Sequence, residues 1–181
     1  MLRLFAGLSV PILLRQRLTT LQGGIEGARW TERENFHITL TFIGDVDEIT
    51  AEGVDEALQS VKVEPFRLAL KGADIFDKAG VPSVLWMGVS QSGHLHRLKE
   101  KIDRALYTAR LPFENRKYVP HVTLAYLKNA EEAKVAAFIQ QNSLFATEEF
   151  DVTEFILYRS RQTKHGAVYE ELMEYPLESK Q

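Results

Sequence analysis

Apolar and polar residues recur along the chain in two rhythms. Alternating or continuous apolar runs predict strands over residues 2–8, 36–43, 66–75, 83–89, 118–127 and 150–158, with a last strand over 167–175. Helical spacing predicts helices between them, over residues 11–22, 50–61, 92–110 and 129–140. The second helix carries Val54, Ala57, Leu58 and Val61 on one face, and the third carries Leu95, Leu98, Ile102, Ala105 and Leu106. Pro11 suits a first helical turn, Asn129 suits an N-cap ahead of Glu131 and Glu132, and Asp45 and Asp47 are placed to cap the helix after residue 43. Helices alternating with hairpin-like strand pairs predict an α+β fold.

Composition narrows the chemistry. The 181 residues suit one domain or two small fused lobes, and no stretch reads as a linker. No apolar run approaches the length of a membrane-spanning helix. Arg3 interrupts the apolar start, which reads as a first strand rather than a signal peptide. With no cysteine, disulfides, Cys-ligated zinc, iron–sulfur clusters and thiol nucleophiles are excluded. The 22 basic and 25 acidic residues give a net charge of −3, which argues against wrapping a long duplex. A nucleic-acid substrate would be met at an end or as a short piece.

One motif occurs twice, as Asn35-Phe36-His37-Ile38-Thr39-Leu40 and as Val119-Pro120-His121-Val122-Thr123-Leu124. Two His-x-Thr-Leu hits arise by chance in roughly one such chain in two thousand, counting positions as independent, so duplication of a β–α unit explains them better. On a strand, His and Thr two residues apart share a face, while Ile38, Leu40, Val122 and Leu124 point to the other. Two imidazoles and two hydroxyls around one point suit a phosphate. The hydroxyls donate to phosphoryl oxygens, and histidine can serve as acid or base near neutrality.

These residues resemble the two-histidine phosphoesterase superfamily, and more closely the RNA 2′,3′-cyclic phosphodiesterases long called 2′-5′ RNA ligases. The resemblance includes Arg3-Leu4-Phe5-Ala6-Gly7-Leu8, the segment from Trp30 through Glu34 to Gly44, and Val84-Leu85-Trp86-Met87-Gly88-Val89. It continues through Pro120–Leu124 and the closing Leu157-Tyr158-Arg159-Ser160, Gly166, Tyr169, Leu172 and Tyr175-Pro176-Leu177. It implies one bilobal domain over residues 1–181, with two pseudo-symmetric antiparallel-sheet lobes, outer helices and a central cleft. It also implies hydrolysis of a 2′,3′-cyclic phosphate at an RNA 3′ end or short nucleotide to a 2′-phosphomonoester, with no cofactor and no metal. In that scheme His37 protonates the departing O3′, His121 takes a proton from water, and Thr39 and Thr123 hold the non-bridging oxygens, although pseudo-symmetry lets the two histidines exchange roles. The protein is expected to be a cytoplasmic monomer without membrane association.

Relatives often carry a basic residue where this chain has Tyr126. A regular strand would aim position 126 away from the cleft, out of phase with His121. Arg159, Lys128 or Arg3 could supply the positive charge, and Tyr126 and Arg159 are retained as substrate-binding candidates. Phe5, Phe42, Phe76 and Tyr118 could each stack on a base or pack in the core. Trp86 reads as core, His94 and His96 as a helix start with a metal pair as the lesser reading, and His165 as solvated in a polar loop where Arg161 and Lys164 could touch RNA. End-joining through a 2′-5′ linkage, a binder of nucleotides or RNA ends without turnover, and a metallohydrolase stay open as alternatives.

Overall fold

The computed structural model describes residues 1–178. Strand β1 (Leu2–Ser9) leads into α1 (Ile12–Thr19), β2 (Ala28–Trp30), β3 (His37–Val46) and α2 (Glu48–Gln59). Next come β4 (Phe66–Leu68), β5 (Leu70–Lys78), β6 (Val81–Val89), α3 (Gly93–Thr108) and β7 (His121–Leu127). The chain closes with α4 (Glu132–Gln141), β8 (Phe150–Val152), β9 (Glu154–Thr163) and β10 (Gly166–Pro176). Helix α3 forms where Leu95, Leu98, Ile102 and Leu106 make one fully buried stripe, and Ser92 caps it by accepting from the Leu95 amide. Asp47 caps α2 by accepting from the Thr50 amide at 2.7 Å.

The element order repeats. A strand, a helix, a motif strand, a helix, a short strand and a longer strand occur as β1-α1-β3-α2-β4-β5 and again as β6-α3-β7-α4-β8-β9. Strands order as β10-β9-β1-β3-β7-β6-β5, with β2 also on β7. Each repeat thus lends its last strand to the other: β9 pairs with β1, and β5 pairs with β6. The two halves meet where β3 and β7 touch at the single pair Ile38↔Val122. That pair sits between the two histidines, so the topology brings the motifs to the centre of the sheet.

Several boundaries differ from the sequence reading. The apolar runs 66–75 and 150–158 each divide, because β4 and β8 leave the main sheet to pair with each other. The short strand β2 is too brief to carry a period. The strand expected from residue 118 starts at His121, after Pro120, which has no amide to give to a ladder. Asn129 takes a left-handed φ of 54°, so Glu131 sits at the N-cap of α4 without a side-chain bond. Asp45 lies within β3 and caps nothing. Pro11 is the extended residue ahead of α1.

The cavity between the paired histidines

Strand parity holds through each motif. His37 and Thr39 are half-buried on one face, while Ile38 and Leu40 are buried on the other. His121, Thr123, Val122 and Leu124 repeat the arrangement. Each imidazole is anchored in the same way. His37 donates Nδ1–H to the Asn35 carbonyl at 2.7 Å, and His121 donates Nδ1–H to the Val119 carbonyl at 2.7 Å. A carbonyl can only accept, so in both neutral rings the lone pair is on Nε2. The Thr39 hydroxyl donates to Nε2 of His37 at 3.0 Å. Asn35 also donates its amide to the Ala167 carbonyl at 2.7 Å, which ties the motif to β10.

Aromatic rings hold the imidazoles in place. Phe5 packs 4.9 Å from His37 between ring centroids, and Tyr169 meets it edge-on at 4.8 Å. Phe76 meets His121 edge-on at 4.9 Å, and Trp86 lies 5.7 Å from it. This apolar shell disfavours the charged rings. Burial lowers the His37 pKa to about 4, opposed by the Asn35 carbonyl and helped by the charges of His121 and Arg15. His121 is lowered too, by burial against the opposing Val119 carbonyl and then by the Arg116 charge.

Both histidines, Thr39, Thr123, Phe42 and Tyr126 line one cavity of about 760 Å³. Phe42 and Tyr126 reach it through β-bulges. The β1–β3 register passes from Ala6↔Thr41 to Gly7↔Thr39, leaving Leu40 extra. The β6–β7 register passes from Leu85↔Ala125 to Trp86↔Thr123, leaving Leu124 extra. One extra residue reverses the parity beyond it. Position 126 is therefore turned toward the cleft, which corrects the regular-strand expectation.

Other assignments also change. Phe5 borders the cavity but is 2% exposed and stacked on Tyr158, so it supports His37 and offers no free face to a base. Arg159 falls outside the cavity lining and lies on the other face of β9 from Ser160 and Gln162, 3.8 Å from Glu170. Lys128 is absent from the lining, whereas Arg3 is present. Trp86 is half-buried beside His121 rather than in the core. His165 is exposed at the cavity edge, while Arg161 pairs with Glu170 outside it. His94 stacks over Phe66, and His96 donates Nδ1–H to the Ser92 carbonyl. Among the described residues no group of three or more His, Asp or Glu could hold a metal ion.

Sequence reasoning passed over Arg29 and the structural role of Tyr118. Arg29 lies across β2–β7 from Tyr126, with its guanidinium carbon 5.0 Å over the ring. The Tyr118 hydroxyl donates to the Thr39 carbonyl. At the cavity wall, Thr41 and Lys99 both donate to Asp103, at 2.6 and 2.5 Å.

Comparison with known proteins shows the family and the fold. A family model described as the 2'-5' RNA ligase superfamily matches residues 11–164. An RNA 2',3'-cyclic phosphodiesterase of Archaeoglobus fulgidus is 31% identical over 175 residues, covering 94% of this chain and 98% of the relative. One of Thermotoga maritima is 34% identical over 154 residues, covering 84% and 81%. Among solved structures, E. coli LigT complexed with 3'-AMP superposes with a TM-score of 0.79 at 24% identity, covering 98% of this chain and 99% of that one. TT0787 of Thermus thermophilus gives 0.79 at 24% identity, covering 97% of each chain. The chain belongs to the 2'-5' RNA ligase superfamily.

Proposed function

We propose that the protein hydrolyses terminal 2′,3′-cyclic phosphates of RNA to 2′-phosphomonoesters, with two histidines as acid and base. The observation that carries this reading is the matched anchoring of His37 and His121 in one cavity, each ring held at Nδ1 by a backbone carbonyl so that Nε2 carries the lone pair, which at His37 meets the Thr39 hydroxyl. Water attacks phosphorus and gives its proton to Nε2 of His121. The P–O3′ bond breaks, and Nε2 of His37 protonates the departing oxygen. Thr39 and Thr123 hold the non-bridging oxygens, and Phe42, 39% exposed beneath Arg116, borders the place of the terminal base. Atoms balance with one water consumed.

The acid must carry a proton that its apolar shell disfavours. A bound phosphate supplies the missing stabilisation, because a negative charge beside Nε2 favours imidazolium. The substrate thus arms its own acid. Proton transfer at each histidine contributes about 10²–10⁴-fold. We propose that it acts on free RNA ends as a cytoplasmic monomer.

The test is product analysis on a short RNA ending in a 2′,3′-cyclic phosphate. The expected product carries a 2′-phosphate. A 3′-phosphate would mean that the other bond breaks, and an unchanged substrate would end the reading.

A further inference from the structure

We infer that Arg29, mounted on the ring of Tyr126, is the cation that meets the phosphate in the cleft; this rests on the phosphodiesterase reading above. Five Arg and Lys side chains line the cavity: Arg3, Arg29, Lys99, Arg116 and Lys117. Lys99 is committed to Asp103. Arg116 lies 5.2 Å over the Phe42 ring, but its charge is met by Glu114 at 2.5 Å. Arg3 stands opposite Asp45 in the β1–β3 register. Lys117 is exposed on the irregular segment between α3 and β7.

Arg29, itself exposed, is set apart by what holds it. Its backbone is a strand pair of Tyr126, its guanidinium lies over the Tyr126 ring, and Nη1 packs against Gly166, where an added Cβ would lie 3.3 Å away. Among the described residues it makes no ion pair, which it shares with Arg3 and Lys117, but of the three only Arg29 is also held over an aromatic ring. A guanidinium held over a ring face spends none of its N–H groups on a carboxylate and keeps the planar fork that fits phosphate oxygens.

The pairing breaks the twofold likeness of the site. Phe42 and Tyr126 occupy matching places, five residues after each motif histidine, and each lies under an arginine. Only the Phe42 arginine is neutralised. Of the two arginines held over these rings, the one on Tyr126 is without a carboxylate partner among the described residues.

The experiment measures hydrolysis of the cyclic-phosphate RNA and, separately, binding of inorganic phosphate to the protein alone. Arg29→Gln lowers kcat/KM by about 10–100-fold and weakens phosphate binding about tenfold, with an unchanged melting temperature. Tyr126→Ala loses a comparable amount, and the double variant is no worse than Arg29→Gln, because the ring acts through the arginine. Arg29→Gln with Tyr126→Arg recovers at least tenfold, since the bulge turns position 126 into the cleft. Arg29→Gln within twofold of wild type in both assays, or additive losses in the double variant, overturns the inference. If the wild-type protein hydrolyses nothing, the phosphodiesterase reading falls, and the phosphate-binding assay still decides on Arg29.

Discussion

Tyr118 donates its hydroxyl to the backbone carbonyl of Thr39 at 3.0 Å, joining the segment that leads to one motif to the strand that carries the other. Tyr118 precedes His121 by three residues, and Val119 beside it accepts from His121. One phenol thus ties the two His-x-Thr motifs together. Burial, then the Asp103 charge, raises the Tyr118 pKa far enough that the proton stays in place across the working pH range. Tyr118→Phe should cost about 0.5–1.5 kcal/mol of stability, the net worth of such a bond, measured by urea unfolding. It should also lower kcat several-fold with little change in KM, because the imidazoles lose their relative placement while the binding groups remain. An unchanged kcat would reduce the contact to simple packing.

Replacing either histidine removes a proton carrier. His37→Ala and His121→Ala should each lower kcat by about 10²–10⁴-fold, with circular dichroism still showing a folded protein. A chelator should leave the wild-type rate unchanged. Wild-type rates in both variants would rule out two-histidine catalysis.

The depressed histidine pKa values make two statements about pH. In kcat/KM, which reports the free enzyme, activity needs one proton shared between the two rings. Both rings titrate below their usual 6.5, His37 at about 4. The singly protonated form therefore gathers on the acid side, and the kcat/KM optimum should lie below pH 6.5. The kcat profile should sit higher, because bound phosphate raises both rings. Superposing profiles centred at pH 7 or above would contradict this.

Stability follows with its own sign. A histidine whose folded pKa is lowered binds its proton more tightly in the unfolded chain, so protonation favours unfolding. The His37 contribution is complete above about pH 6.5 and is lost as pH falls toward about 4. Urea midpoints at pH 7.5, 6 and 4.5 should decline for the wild type. The decline should be shallower in His37→Gln, and equal slopes would remove the effect.

Gly7 and Gly88 both lie beside the motif strands, Gly7 paired with Thr39 and Gly88 with His121. A Cβ on Gly7 would lie 2.9 Å from the Ile38 carbonyl oxygen, and one on Gly88 would lie 2.6 Å from that of Lys71. Both obstacles are backbone and cannot swing aside. Gly7→Ala and Gly88→Ala should each destabilise by about 1–3 kcal/mol, with Gly88→Ala the worse. Calorimetric melting checks this, and an unchanged Tm for Gly88→Ala would show that the strands can part without cost.

What the sequence could determine was local. The alternation around His37 and His121 decided which side chains share a face, since parity is a property of a single strand. Helical stripes such as Leu95, Leu98, Ile102 and Leu106 were legible for the same reason: buried apolar positions recur at the helix repeat. The duplication of His-x-Thr-Leu pointed to a paired site before any contact was known.

Tertiary structure decided the rest. The bulges at Leu40 and Leu124 depend on how the neighbouring strands pair, and they alone bring Phe42 and Tyr126 into the cavity. The runs 66–75 and 150–158 split because β4 and β8 find each other across the molecule, a choice that no local pattern encodes. Arg159 and Arg29 are alike as residues in a sequence. One faces Glu170 outside the cleft, while the other rests on Tyr126 inside it. Where a long cationic side chain ends is set by groups far away in the chain, so only the folded arrangement could choose between them.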